Sequence, residues 1–443
     1  MSVAKREATS YRLKTHVIST EGGAFAAAVE RPLYFAVAQG AIETRHLDRS
    51  HIGQNRLLYH PYMGIKAKVS SAAPRSGYLP TLDGWRAIAI IAVLFHHGAL
   101  IRIGSFSLTW PYEFGNAGVM VFFAISGVLI CTRLLQEESK TGSLHLKGFY
   151  IRRVLRIQPA AWIFLLTLLI LKLGSVVPLS WEGFLSALFL IRNYLPWNTH
   201  WSTDWVTLHF WSLSVEEHFY LVLPAFLFFV RRRRATLLFC AALLILLWAS
   251  IASRFGMLTG QGFHRTDFCL ANLLVPAWFA VLLRREEVYR AFKKYLPSSV
   301  GLLFAACAFI PVWFSWKHAL HGLTDFAPSI LIISTMLHPD SLVGRFLEWM
   351  PLRFIGRISY GLYIWQELFF TGHFAPDLHP FGIFSRAPMN FVAVFALATL
   401  SYYLVERPCM RLGHRLARPA IEGRPELAAA RPQSAAEASV AGS

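Results

Sequence analysis

Charge is scarce in this chain. Asp, Glu, Lys and Arg make up 15% of its 443 residues, where a soluble globular protein carries roughly 25%. Acidic groups are the scarcer sign, 25 against 43 basic ones, which leaves a formal net charge of +18. That balance would suit nucleic acid if Lys and Arg covered one soluble face. Instead they sit in short clusters between apolar runs: Arg231 to Arg234, Arg284 with Arg285, and Arg152, Arg153 and Arg156. Clusters of this kind orient membrane proteins, so no nucleic-acid partner is expected. Cysteine is sparse too, and the five residues show neither CxxC nor metal-ligand spacing. No metal site is expected from them; most lie in or beside apolar runs, where Cys acts as a small hydrophobe.

What the chain has in excess is apolar and aromatic surface. It is 55% hydrophobic, with 35 Phe and 14 Trp, and its mean hydropathy is +0.44. Apolar runs long enough to cross a bilayer, about 20 residues or slightly fewer, lie near 84–103, 116–135, 157–174, 208–230, 235–253, 267–283, 298–316, 324–338, 355–373 and 388–405. The shorter run from Trp181 to Tyr194 carries Glu182 and Arg192 at its ends. If it crossed, Arg231 to Arg234 and Arg284-Arg285 would face outward, against the positive-inside rule. Read as a re-entrant or interfacial helix, it leaves every strong basic cluster inside. The expected fold is therefore all-α, a polytopic bundle of about ten transmembrane helices with both termini cytoplasmic.

The ends differ from this bundle. Residues 1–77 are basic and mixed, and their best apolar stretch, Gly22 to Ile42, is broken by Glu30, Arg31 and Pro32. They are expected to form a poorly ordered extension, of which residues 1–62, ahead of Met63, are expected to be dispensable. Residues 78–410 form the membrane domain. Residues 411–443, rich in Ala, Arg, Pro and Glu, read as a disordered cytoplasmic tail.

Ionisable residues inside apolar runs are costly and point to function. In the first run, Asp83 and Arg86 stand at the cytoplasmic end and read equally as interface anchors. His96 and His97 lie far from any charged residue. His97 is 11 residues beyond Arg86, about three turns, and so returns to nearly the same helical face; it is the expected bundle-facing histidine. The fourth run opens with Trp211-Ser-Leu-Ser-Val-Glu216-Glu217-His218-Phe-Tyr220. Ser212, Glu216 and Tyr220 share one face at i, i+4 spacing. Glu216 and His97 have matching expected depths, and a carboxylate beside a histidine makes a general base. Arg152, Arg153 and Arg156 would suit the phosphates of a ligand such as CoA, although topology alone also accounts for them. Ser126-Gly127 at mid-depth of the second run reads first as a close-packing site.

Taken together, Pro80 to His97 (PTLDGWRAIAIIAVLFHH), Gly118 to Ile130, Phe149 to Pro159 (FYIRRVLRIQP) and Trp211 to Pro224 (WSLSVEEHFYLVLP) resemble the family-3 membrane acyltransferases. Arg265 to Asp267, Phe354 to Trp365 (FIGRISYGLYIW) and Ser401 to Pro408 (SYYLVERP) extend the resemblance in the same order. That family includes O-acetyltransferases of bacterial surface polysaccharides and macrolide acylases. The resemblance implies an O-acyltransferase of the inner membrane that uses acyl-CoA, most simply acetyl-CoA, and a glycan acceptor. It implies that Arg86 and His97 are an essential pair, that Arg152 and Arg153 act on the cytoplasmic side, and that Ser126-Gly127 belong to a Ser-Gly-Phe motif whose Phe is Val128 here. Gln366 stands where a His often follows Trp365. The expected catalytic set is His97, Arg86, Glu216, Asp83 and Glu217, and the expected donor set is Arg152, Arg153, Arg156, Ser126 and Gly127. A proton-coupled transporter is the alternative, since intramembrane His and Glu also relay protons; no internal repeat favours it. Acylation of a small molecule such as a macrolide is the other.

Overall fold

The computed structural model describes residues 79–98, 100–103, 106–109, 112–195, 204–255, 264–313, 321–370 and 380–417. The extension before residue 79, including the expectation about Met63, and the tail beyond 417 lie outside the described residues.

Each of the ten apolar runs is helical over most of its described residues. In chain order these and their companions are α1 (Pro80–Gly98), α2 (Tyr112–Thr141), α3 (Leu146–Leu173), α4 (Trp181–Leu188), α5 (Phe210–Phe229), α6 (Arg234–Arg254), α7 (Thr266–Cys269), α8 (Ala271–Leu282) and α9 (Glu286–Tyr295). They continue as α10 (Ser298–Trp313), α11 (His321–Leu337), α12 (Leu342–Leu347), α13 (Met350–Trp365), α14 (Met389–Ser401) and α15 (Arg407–Leu416). Among the described residues, five helices are long and apolar enough to cross a bilayer alone, and a sixth if α7, α8 and α9 count as one bent span. The chain is a polytopic membrane protein. Pro159, Pro224, Pro276 and Pro328 sit inside helices, as bundle packing in membranes permits.

Four boundaries differ from the sequence reading. The first apolar run ends its helix at Gly98, and the residues after it form β1 (Leu100–Ile103), paired antiparallel with β2 (Phe106–Thr109). The α3 helix begins at Leu146, so the whole FYIRRVLRIQP segment is helical rather than a lead-in. Segment α14 continues through a π-helical turn, Tyr402–Glu406, into α15, so residues 411–416 are helix and not tail. The ninth run stops as a helix at Trp365 and closes with a 3-10 turn, Gln366–Leu368.

Small residues let the central helices touch backbone to backbone. A side chain at Gly356 of α13 would overlap the Asp83 carbonyl of α1, and one at Gly84 the Leu347 carbonyl of α12. Gly118 of α2 meets the Ala89 carbonyl, and Gly127 meets Leu273 and Pro276 of α8. The α3 and α6 helices lie at the periphery and turn Trp162, Leu166, Ile170, Leu244 and Trp248 outward, the surface lipid tails require.

The two ends of the bundle are chemically distinct. At one end Arg234 grips Glu138 at 2.5 and 2.9 Å, Arg284 donates to the Leu135 carbonyl at 2.9 Å, and Arg152 meets Glu137 at 3.2 Å. The end of α2, the start of α3, the start of α6 and the end of α8 therefore share one end, which carries every basic cluster named above. There α9 turns by 110° from the segment Thr266–Leu282 and buries none of its residues. At the opposite end Ser180 donates its amide and hydroxyl to Asp204, both at 2.7 Å, and Asn193 donates to Thr266 at 2.9 Å. Helix α4, capped by Ser180, spans only 8 residues, about 12 Å, and cannot cross. That agrees with the re-entrant or interfacial reading.

Candidate active site

A cavity of about 120 Å³ runs inward from the basic end, between α1, α2, α3, α5, α13 and the π-helical turn with α15. Arg86, Arg153, Arg156 and Arg357 line it, with Glu216 and Glu406 as its carboxylates and Tyr220, Tyr360, Tyr363 and Tyr402 on its walls. In a medium this apolar such charges survive only with partners. Arg86 meets Asp83 at 3.0 Å, one turn earlier on α1. Arg153 lies over the Tyr220 ring at 5.3 Å and the Phe149 ring at 5.7 Å, a cation–π arrangement that leaves the guanidinium edge available. Ser126 donates to one Glu216 oxygen at 3.0 Å and Tyr220 to the other at 2.9 Å. Ser401 donates to Glu406 at 3.3 Å, and the π-helical turn that presents Glu406 is of the kind often found at functional sites.

The cavity's wall includes Ser212 and Tyr363, both near the non-basic ends of their helices. The Tyr363 hydroxyl donates to the His209 carbonyl at 2.9 Å and lies 2.5 Å from the Ser212 hydroxyl. Toward that end stands His97, whose Nδ1 is 3.3 Å from Oε1 of Glu367, a side chain only 1% exposed. His96 is the more buried of the two histidines and packs on Gly115 of α2, where any side chain would collide with its ring.

Several expected site residues are brought together and others are not. Arg86, Arg153, Arg156, Ser126 and Glu216 share the cavity, and Asp83 holds Arg86. Arg152 is instead spent on Glu137 outside the cavity. Gly127 packs α2 on α8 and belongs to the wall's support, while its neighbour Ser126 carries the polar contact. The carboxylate beside His97 is Glu367, not Glu216, whose two oxygens are engaged by Ser126 and Tyr220. Glu217 does not line the cavity, and its Oε1 is buried without a hydrogen-bond partner among the described residues. Arg265 and Asp267 form a bidentate, half-exposed ion pair away from the cavity, with the Arg265 guanidinium over the Tyr194 and Phe268 rings at 5.6 and 5.7 Å. Sequence reasoning missed Glu367, Glu406 and Arg357, although each sits in or beside an apolar run where a charge is costly.

A membrane bundle with an arginine-lined cavity at one end and a carboxylate–histidine pair toward the other defines the class: an integral-membrane group-transfer protein. The chain belongs to the family described as an acyltransferase domain, whose model matches residues 79–407. Peptidoglycan O-acetyltransferase OatA of Listeria monocytogenes is 27% identical over 363 residues, 76% of this chain and 56% of that protein. YrhL of Bacillus subtilis, provisionally named a peptidoglycan O-acetyltransferase, is 26% identical over 367 residues, with the same shares. SACOL0978 of Staphylococcus aureus, provisionally named an O-acetyltransferase, is 27% identical over 383 residues, 79% of this chain and 60% of that protein. The chain thus spans little more than half the length of these relatives. No solved structure matches it significantly.

Proposed function

We propose that the protein moves an acetyl group from acetyl-CoA, bound from the cytoplasm, to a hydroxyl of a glycan on the outer side of the inner membrane. The observation that carries this reading is the cavity with four arginines at the basic end of an acyltransferase-family bundle. By the positive-inside rule that end faces the cytoplasm, where CoA is found, and arginine forks match phosphate oxygens. Ten crossings with both termini inside follow from the same orientation. The names of the relatives support a glycan acceptor.

In this reading Arg86, Arg153, Arg156 and Arg357 hold the phosphates, and the acyl-pantetheine arm extends along the cavity toward Ser212 and Tyr363. His97 does not line the cavity, so the thioester reaches it by displacing the Tyr363–Ser212 contact. With Nδ1 of His97 turned to Glu367, Nε2 takes the proton of the acceptor hydroxyl. The acceptor oxygen then forms the ester bond to the acetyl carbon as the C–S bond breaks. The departing CoA thiolate recovers the proton from His97. The carboxylate of Glu367 steadies the imidazolium between those two steps.

Purified protein in lipid nanodiscs, supplied with radiolabelled acetyl-CoA and an oligosaccharide, tests the reading. The expected result is acetyl ester on the sugar together with free CoA. No release of CoA above a His97→Ala control, with or without sugar, refutes it.

A further inference from the structure

Buried polar atoms nearly always find a partner, and each exception asks for a reason. At the end of the bundle where His97 stands, four side chains break that rule. The indole nitrogens of Trp205 and Trp365, both amide atoms of Gln366 and Oε2 of Glu367 have no hydrogen-bond partner among the described residues. None of these residues is more than 5% exposed. The elements that carry them are neighbours. The turn Trp205–Thr207 packs against the turn Gln366–Leu368, and the ring of Phe164 meets both Trp365 and His209 edge-on at 5.4 Å. The other oxygen of Glu367 faces His97.

The chemistry of this cluster is selective. It offers two indole donors, an amide that both donates and accepts, and a carboxylate oxygen that only accepts. A hydrocarbon would leave the amide unmet, at the cost of a buried polar group without a bond. A sugar ring meets all of them, because its hydroxyls donate and accept while its C–H faces lie against indole. We propose that Trp205, Trp365, Gln366 and Glu367 form the acceptor subsite, which holds one pyranose ring of a glycan with a hydroxyl directed at His97. The inference rests on the acetyl-transfer reading and adds to it the place and chemical class of the acceptor. Gln366 is its specificity-determining residue.

The test uses the full chain in nanodiscs, with acetyl-CoA as donor and the tetrasaccharides chitotetraose and maltotetraose as acceptor probes. Three quantities are read: CoA release without sugar, the acceptor KM, and the sugar-induced shift of the melting temperature. Gln366→Leu is expected to raise the acceptor KM about tenfold and to remove the melting shift, the loss that follows from one hydrogen bond to the ligand. Gln366→Asn, which keeps the amide on a shorter arm, should fall between it and the wild type. Ser329→Ala serves as control, since its buried hydroxyl also lacks a partner among the described residues but lies on α11; it should change neither quantity. An unaltered acceptor KM and melting shift in Gln366→Leu, or in Gln366→Asn should the Leu variant not fold, overturns the subsite and leaves water as the occupant of the cluster. Failure of both sugars to shift the wild-type melting temperature overturns it too. Absence of CoA release in the wild type, with the sugar shift intact and lost in Gln366→Leu, would sink the acetyl-transfer reading while sustaining the subsite.

Discussion

Nδ1 of His97 and Oε1 of Glu367 lie 3.3 Å apart, although the two residues come from opposite ends of the sequence and from different helices. Glu367 has no cation nearer than this histidine among the described ion pairs, and its side chain is shut away from water. If the pair performs the proton transfer, His97→Ala should abolish acetyl transfer with insertion unchanged. Glu367→Gln should lower kcat by about 10²-fold, within the range expected for general base catalysis, with the KM for acetyl-CoA moving little. An equal loss in Glu216→Gln, with Glu367→Gln active, would assign the base to the cavity instead.

The arginines of α3 should separate by function. Arg153 and Arg156 line the cavity whereas Arg152 meets Glu137. Arg153→Ala with Arg156→Ala should raise the KM for acetyl-CoA by about 10²-fold, since two charge-assisted contacts of about 1.5 kcal/mol each are lost. Arg152→Ala should raise it by less than about threefold, since its partly exposed ion pair with Glu137 lies outside the cavity and such pairs are worth about 1 kcal/mol or less. Steady-state kinetics with varied donor decide this, and equal effects would return Arg152 to the donor site.

Orientation can be read with reporters. The shared end of α2, α6 and α8 requires fusions after residue 233 and after residue 290 to score on one side, the cytoplasm. A fusion near Asn198 should score on the other. A cytoplasmic score at Asn198 would mean that α4 belongs to a crossing.

Close backbone contact gives a stability prediction. Gly356→Val and Gly127→Val each force two helices apart, and overpacking of this kind costs about 1–3 kcal/mol. Both variants should melt at lower temperature in detergent, whereas Gly142→Ala should differ from them. Its φ is +76° and nothing surrounds its missing side chain, so its cost is conformational strain and not collision. Wild-type melting of Gly356→Val would contradict the packing described for α1 and α13.

Much of this was legible in the sequence, for reasons that also define the limits. The helices were visible because lipid demands long apolar runs, and the basic end was visible because charge punctuates them. Ser212, Glu216 and Tyr220 on one face followed from helical spacing, and two of them do meet through the Tyr220 hydroxyl. The partner of His97 was not legible, because depth matching pairs a helix with every other helix at the same level. That test singled out Glu216, whereas the packing of α13 against α1 brings Glu367 to His97. Adjacent residues such as Arg152 and Arg153 point about 100° apart on a helix. Which of them faces inward depends on the neighbours of α3, Gly413 of α15 among them. Glu367 carried the available signal, a carboxylate in an apolar run, and the Gln366 beside it drew the eye to a missing histidine instead.

The hydroxyl of Tyr363, held by Ser212 and the His209 carbonyl, bears on proton movement through the bundle. A polar cavity on one face and a polar cluster on the other would together make a proton wire across a membrane that stores a gradient. The Tyr363 proton is committed to a backbone carbonyl, which cannot pass it on, so that contact would end the wire at their junction. On the proposed reading, the protein at rest therefore does not leak protons across the membrane that holds it. A leak should appear in vesicles carrying Tyr363→Ala as a faster collapse of an imposed pH difference.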